Sequence, residues 1–321
     1  MFHNGFWVSW KKFCLPYKGK MYKITTSNNK SIMVTRDHLN PTIDGDITGE
    51  KLSVGDMLLF NTNPSVKTQK YNSMTYHQGY IIGSFLGDGS YASYLKGEDR
   101  KLTGIVLSLN SRCFDIIEKN VRIGLDDFGV TANISKTFED NNVIKLSVYS
   151  VELAEIVSQY VDHSNAINKS FNERLYGSSV ECRLGIIDGM METDGHHSTN
   201  RIYTASSRLS SQIECLCTTL GICTNITPDD RNEGMTIRGE HYDRNASVQV
   251  IRLYKKSDKK SMSDKSDLVY KYHNNSIYFS IKSVEEIDYD GNVYCLNISD
   301  DSPYFTLPNG IITHNCRMTL S

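Results

Sequence analysis

Residues 309–316 read Asn309-Gly310-Ile311-Ile312-Thr313-His314-Asn315-Cys316. At one junction they gather the groups needed to break a peptide bond without water. The Asn315 side-chain amide can attack its own main-chain carbonyl, close a succinimide and release whatever follows, while the His314 imidazole protonates the leaving amine. The Cys316 thiol, directly after the break, is a natural acyl acceptor. His-Asn-Cys by itself also fits an ordinary surface turn. Upstream stands a strand-like run, Val293-Tyr294-Cys295-Leu296-Asn297-Ile298, then Phe305 and Asn309-Gly310.

A second pattern lies in the middle of the chain. Ile81-Ile82-Gly83-Ser84-Phe85-Leu86-Gly87-Asp88-Gly89 and Ile187-Asp188-Gly189-Met190-Met191-Glu192-Thr193-Asp194-Gly195 share one template. Read as helices, the first carries Gly79, Gly83 and Gly87 on one face, and the second carries Gly185, Gly189 and Thr193 at matching positions on one face of its own. Glycine inside a helix costs about 1 kcal/mol relative to alanine. Close packing of the two helices is the compensation expected. Each helix ends in Asp-Gly, where the glycine is expected in a left-handed cap. Asp88 and Asp194 then meet at one end of a helix pair. Two carboxylates held together are unfavourable unless they bind cations, and Mg²⁺ is the usual oxygen-ligated ion.

The same order of elements follows each helix, and Asp88 and Asp194 stand 106 positions apart, a domain-sized duplication. Residues 104–109, a helix from Cys113, residues 130–134 and residues 143–148 follow the first. Residues 202–205, a helix over 209–220, residues 222–226 and residues 248–253 follow the second.

The junction at Asn315 and its upstream run resemble the C-terminal end of inteins, which are self-splicing proteins. Residues 316–321 would then begin the host protein. Val34-Thr35-Arg36-Asp37-His38 resembles a second intein motif, followed by the turn Leu52-Ser53-Val54-Gly55-Asp56 that inteins also show. That resemblance implies that Thr35 and His38 polarise the upstream scissile peptide and assist its rearrangement to an ester or thioester. The duplicated helices resemble the LAGLIDADG homing endonucleases. This second resemblance implies Asp88 and Asp194 as metal-holding catalytic residues and Mg²⁺ as cofactor. It also implies double-stranded DNA, at a long site in the host gene, as substrate. A basic residue usually stands beside each acid in that family, and Lys145 and Arg252 occupy matching places on the last strand of each repeat. Splicing itself is expected to need no cofactor.

Two places depart from the common intein pattern. Cys295 stands where many inteins have aspartate, and Pro303-Tyr304-Phe305 where many have His-Asn-Phe. Cys295 reads either as a substitute acid/base group or as an internal nucleophile; Asn40, where that nucleophile class has tryptophan, favours the former. The chain opens Met1-Phe2-His3-Asn4-Gly5-Phe6-Trp7 rather than on Cys or Ser. The expectation is a split intein that splices in trans with a separate N-terminal fragment fused to its own extein; the alternative is a truncated fragment. A decayed endonuclease insertion and a free-standing endonuclease with inert flanks also stay open.

The fold expected is an all-β Hint horseshoe built from both chain ends and interrupted by a pseudo-two-fold LAGLIDADG αββαββα repeat. Its parts are residues 1–74 and 277–315 for splicing, 75–276 for the endonuclease (repeats about 75–160 and 180–265) and 316–321 for the extein. The polar stretches 61–74 and 255–275 are the expected junctions. Residues 20–25 and 30–35 flank a turn at Ser27-Asn28-Asn29. Residues 284–289 and 292–298 flank Asp290-Gly291, a hairpin expectation. The chain has 321 residues and a formal charge of −2, so any DNA-binding basic surface is local. Its eight cysteines lack paired CxxC spacing, against a zinc site or disulfide scaffold. With no secretion signal or bilayer-length apolar run, a cytoplasmic location in a bacterial, archaeal or phage-encoded context is expected.

Overall fold

The computed structural model describes residues 2–3, 6–7, 10–61, 73–96, 99–139, 142–162, 165–229, 235–237, 240–242, 247–254, 269–274, 276–298 and 303–315. Cys316, the stretch 316–321, and the junction segments 62–72 and 255–268 lie outside the described residues.

The first strands are β1 (Trp10–Thr26), β2 (Ser31–Thr35), β3 (Leu39–Thr42), β4 (Gly45–Thr48) and β5 (Met57–Phe60). Then come α1 (Tyr76–Asp88), β6 (Gly89–Lys96), β7 (Asp99–Asn110), α2 (Phe114–Phe128), β8 (Asn133–Glu139), β9 (Val143–Tyr149) and α3 (Val151–Ser158). A second series follows: α4 (Val180–Thr193), β10 (Gly195–His196), β11 (Arg201–Thr204), α5 (Ser207–Thr219), β12 (Cys223–Asp229) and β13 (Val248–Tyr254). The chain closes with β14 (Tyr270–His273), β15 (Ser276–Ile298), β16 (Tyr304–Thr306) and β17 (Ile312–His314). Two compact units result. One joins Met1–Thr68, Cys217–Asn225 and Leu253–Ser321; the other joins Gln69–Leu216 and Ile226–Arg252.

The first unit is built on a seven-stranded sheet in the order β2-β1-β15-β5-β3-β4, with β14 also paired to β15, beside the β16-β17 ribbon. Its core gathers Ile24, Val34, Leu58, Phe60, Phe279 and Ile311. The hairpin expected at Asp290-Gly291 does not form. β15 runs straight through it as one strand of 23 residues, with Gly291 opposite Tyr17 of β1. A local turn preference yields here to a long antiparallel ladder. Cross-strand charges mark its register: Lys18 pairs with Asp290 at 3.0 Å, and Lys20 with Asp288 at 2.9 Å and Glu286 at 3.1 Å. These pairs are exposed, so they select register more than they add stability. The turn after β1 does form, with Asn29 left-handed at φ 58°.

The second unit contains two four-stranded sheets, β8-β9-β7-β6 and β10-β11-β13-β12. Exchanging β6, β7, β9 and β8 for β10, β11, β13 and β12 turns one order into the other. The duplication read from the motifs is therefore also a duplication of topology. α1 begins at a Thr75–Gln78 capping box and α4 at Ser179, whose hydroxyl accepts from the Cys182 N–H.

Contacts between α1 and α4 are reciprocal. A Cβ built on Gly79 would strike the Cys182 carbonyl and one on Gly83 the Ile186 carbonyl; on Gly185 and Gly189 it would strike those of Tyr76 and Tyr80. Each contact maps onto its mirror contact under the 106-residue shift. The glycines thus let two backbones touch, as their spacing implied. Gly185→Val is expected to destabilise this unit by at least about 3 kcal/mol, because backbone rather than a movable side chain occupies the space. Denaturant unfolding checks this, and a loss below about 1 kcal/mol would contradict the packing.

The left-handed caps expected at Gly89 and Gly195 are not found. Gly89 has φ −92° and ψ 150°, and Gly195 does not adopt positive φ. Both helices pass directly into strands, and the glycines serve close approach instead: a Cβ at Gly89 would meet Phe85, and one at Gly195 would meet Met191.

Candidate functional site

In the first unit, β2 ends at Thr35, and the chain turns through His38, whose N–H donates to the Thr35 carbonyl at 3.2 Å. β17 carries Thr313 and His314 and leads into Asn315. These ends of the sequence meet. His38 Nε2 and Thr313 Oγ1 lie 2.7 Å apart. Thr35, Asp37, His38, Leu39, Pro303, His314 and Asn315 line a cavity of about 630 Å³.

Within it, His314 Nδ1 lies 2.5 Å from the Asn315 carbonyl oxygen, and the Asn315 N–H donates to the Pro303 carbonyl at 2.6 Å. The Tyr304 ring stands edge-on to His314 at 5.4 Å, and its hydroxyl donates to Asp46 at 3.0 Å. The imidazole therefore sits on the Asn315 main-chain carbonyl oxygen. Pro303, where many inteins have histidine, contributes only its backbone carbonyl, as the acceptor of the Asn315 N–H. Cys295 is buried on β15 opposite Phe13 and is not among the described residues lining the cavity.

Burial, then the charge of His314, lowers His38 to a pKa of about 4. At neutral pH it is an uncharged imidazole, able to exchange a proton with Thr313. The unfolded chain takes up that proton near 6.5, so stability is full above pH 6.5 and is lost as pH falls from 6.5 towards 4. By linkage the loss is on the order of 2–3 kcal/mol. Denaturant melts between pH 7 and pH 4 should show it in the wild type and a flatter profile in His38→Gln. Parallel profiles would rule out His38 as the source.

In the second unit, Asp88 closes α1 and Asp194 caps α4, its N–H donating to the Met190 carbonyl at 3.0 Å. Gly87 faces Thr193, its counterpart in the other repeat, and Asp194 lies just beyond. Burial first, and Asp88 second, push the Asp194 carboxyl up to about 7; burial also raises Asp88. The mutual repulsion read from the sequence is present.

The cation beside this pair is one that sequence reasoning missed. Lys169 Nζ donates to the carbonyls of Phe85, Gly87 and Gly89 at 3.2, 2.7 and 3.2 Å, and its charge acts on both aspartates. It belongs to no repeat, and a lone lysine in a polar segment carries no pattern. Lys145 instead pairs with Glu139 at 2.6 Å. Nor are Lys145 and Arg252 register equivalents. Gly89, Leu107 and Leu146 form one cross-strand row, and Gly195, Ile202 and Ile251 the matching row. Lys145 precedes its row and Arg252 follows its own, so they stand two positions out of step.

An oxygen-only pair of half-buried carboxylates fits a hard cation such as Mg²⁺. Among the described residues no group of three or more His, Cys, Asp or Glu could hold a metal. Further ligands must come from outside these side chains.

No described helix is long and apolar enough to cross a membrane. The chain is 25% identical over 276 residues to the ATP-dependent DNA helicase Hel308 of Thermococcus kodakarensis, covering 79% of this chain and 23% of that protein. It is 23% identical over 339 residues to a DNA polymerase of Thermococcus sp. strain GE8, covering 92% and 19%. With the DNA-directed RNA polymerase subunit Rpo1C of Methanocaldococcus jannaschii it shares 24% identity over 240 residues, covering 60% and 26%. It thus spans about a fifth to a quarter of these relatives' length. Among solved structures, the homing endonuclease I-DmoI aligns at a TM-score of 0.42 and 18% identity, over 57% of this chain and 90% of that one. I-DmoI in complex with DNA and Mn aligns at 0.42 and 18%, over 57% and 91%. Residues 8–315 match the intein splicing domain. That match runs from ahead of β1 to Asn315 itself and takes in both sides of the His38–Thr313 contact: the chain belongs to the intein splicing domain family.

Proposed function

We propose that the chain is a protein-splicing element that also carries a DNA-cleaving unit. The observation that carries the splicing reading is His314 Nδ1 against the Asn315 carbonyl oxygen, in a cavity shared with Thr35 and His38. With its proton on Nδ1, His314 donates to that oxygen and stabilises the negative charge that develops there. The Asn315 side-chain nitrogen then attacks the Asn315 carbonyl carbon and closes a succinimide. The peptide bond to residue 316 breaks, and the leaving amine takes up the proton lost by the attacking nitrogen. Before this step the Cys316 thiolate accepts the upstream acyl group and displaces its ester or thioester. Neutral His38 and Thr35, on the same cavity, would polarise that group. The Hint horseshoe arrangement is proposed for the strand-rich unit on the same grounds.

The relatives support a mobile element. A helicase, a DNA polymerase and an RNA polymerase subunit have different activities, so what they share with this chain is the activity of none of them. The duplicated unit is proposed to cleave double-stranded DNA at the host gene. Mg²⁺ held at Asp88 and Asp194 would activate water for in-line attack and offset phosphate charge. The two carboxylates serve one strand each, and the sheets lie along the major groove. That both carboxylates are present and brought together favours an active enzyme over a decayed one.

The test of splicing is to mix the chain with a short separate peptide that begins with Cys or Ser and is fused to an N-terminal extein. A ligated product is expected, and Cys316→Ala should abolish it while some C-terminal cleavage persists. If ligation proceeds when the peptide begins with Ala yet stops in Cys295→Ala, Cys295 is the nucleophile. If no ligated product forms under any pairing, splicing in trans is wrong.

A further inference from the structure

One short segment connects the duplicated sequence to the splicing unit. Residues 217–225, the end of α5 and the start of β12, belong to the second repeat by sequence but to the first compact unit by contact. α5 ends with the Ile222 N–H on the Cys217 carbonyl and the Gly221 N–H on the Thr218 carbonyl, with Gly221 at φ +67°. This is a Schellman end, which fixes where the last carbonyls point.

Those groups grip the turn that feeds the cleavage strand. Thr218 Oγ1 donates to the Pro308 carbonyl at 3.0 Å. Asn61 Nδ2 donates to the Thr218 carbonyl at 2.9 Å, and the Asn61 N–H donates to the Gly310 carbonyl at 2.9 Å. Asn61 and Thr218 thus hold residues 308 and 310 from two sides. The turn is closed on itself by the Gly310 N–H on Leu307 and the Leu307 N–H on Ile311, with Gly310 at φ +89°. Ile311 bridges to Phe60, and β17 begins at the next residue. Thr313, His314 and Asn315 are therefore placed by a turn anchored by Thr218 together with Asn61 and the Ser31 carbonyl, which accepts from Asn309 Nδ2 at 3.0 Å. The segment is held elsewhere too: Asn29 Nδ2 donates to Asn225 Oδ1 at 3.2 Å, and buried Lys30 lies within electrostatic reach of Cys217 and Cys223.

We infer that Thr218 is a positioning residue for cleavage at Asn315, acting through its hydrogen bond to Pro308. This rests on the splicing reading. The repeat then supplies a working part of the splicing unit and not only an insertion within it. The hydroxyl is buried, so its loss leaves the Pro308 carbonyl short of a donor and lets the turn shift relative to His314.

The test follows release of residues from 316 onward by intact mass in the full chain, comparing wild type, Thr218→Val, Thr218→Ala and Thr218→Ser. Both hydroxyl-free variants should release about fivefold to tenfold more slowly, the effect of one buried hydrogen bond, and Ser should restore the rate. Melting temperatures are measured alongside. Wild-type release in Val or Ala, or equal slowing in Ser, overturns the inference. So does melting below the assay temperature, which would make Thr218 a determinant of folding instead. Asn315→Ala run in parallel separates the two readings. If it still releases, the splicing reading itself fails; if it does not, any failure belongs to Thr218 alone.

Discussion

Asn315→Ala is expected to stop release of residues from 316 onward, slowing it at least about a hundredfold, or roughly 2.7 kcal/mol of barrier. The reason is chemical. Cyclisation needs the Asn315 side-chain nitrogen as nucleophile, and alanine has none to offer. Its main-chain neighbours stay in place in the variant, because the N–H of residue 315 still reaches the Pro303 carbonyl and His314 still faces the carbonyl oxygen. The geometry that activates the bond thus survives without the group that breaks it. Intact-mass measurement over time distinguishes the two states directly. Release from Asn315→Ala at the wild-type rate would show that this end is cut by hydrolysis or by a contaminating protease.

Asp88→Asn or Asp194→Asn should each abolish double-strand DNA cleavage, by about a thousandfold or more, while DNA binding persists. Asparagine keeps the volume at each half-buried helix end but removes the charge proposed to hold a divalent cation. Burial is the larger cause that pushes Asp194 up to about 7, and removing one charge relieves both part of that burial cost and the added repulsion from the other aspartate, so the variants should fold at least as well as wild type. Lost activity with retained or raised stability is therefore the expected signature. The assay uses the uninterrupted host gene as substrate with Mg²⁺ or Mn²⁺. Splicing should be unchanged, since its groups belong to the other compact unit. If the wild-type protein binds that DNA but never cuts it, the unit is degenerate; if both variants still cut, the aspartates are not the metal site.

Much of this was legible in the residues, for reasons that are local. Glycines at four-residue spacing show which helix faces touch, because few other arrangements offset their conformational cost. Asn315 and its neighbours carry their chemistry within three positions, so no fold is needed to recognise it. Thr35 and His38 were singled out through a short local motif as well. The β-rich ends and most repeat elements followed from alternation and turn residues.

Other features depend on partners far away in the chain. Asp290-Gly291 is locally a good turn, yet seventeen residues of β1 lie opposite β15 and override it. Asp-Gly at the helix ends suggests left-handed caps, but the strands that follow need extended backbone there. His38 meets Thr313 across 275 positions, and Lys169 reaches the backbone carbonyls at the end of α1 from a segment without pattern. Neither contact leaves a trace in spacing. By itself, then, the sequence supplied the two chemistries proposed and the residues proposed to carry them, since reactivity and close helix packing are written in neighbouring side chains. Only the tertiary structure decided which base stands by which acid, that His314 faces the Asn315 carbonyl, and that residues 217–225 belong with the splicing unit, because a hydrogen bond depends on where the folded backbone brings two atoms and not on how far apart they lie along the chain.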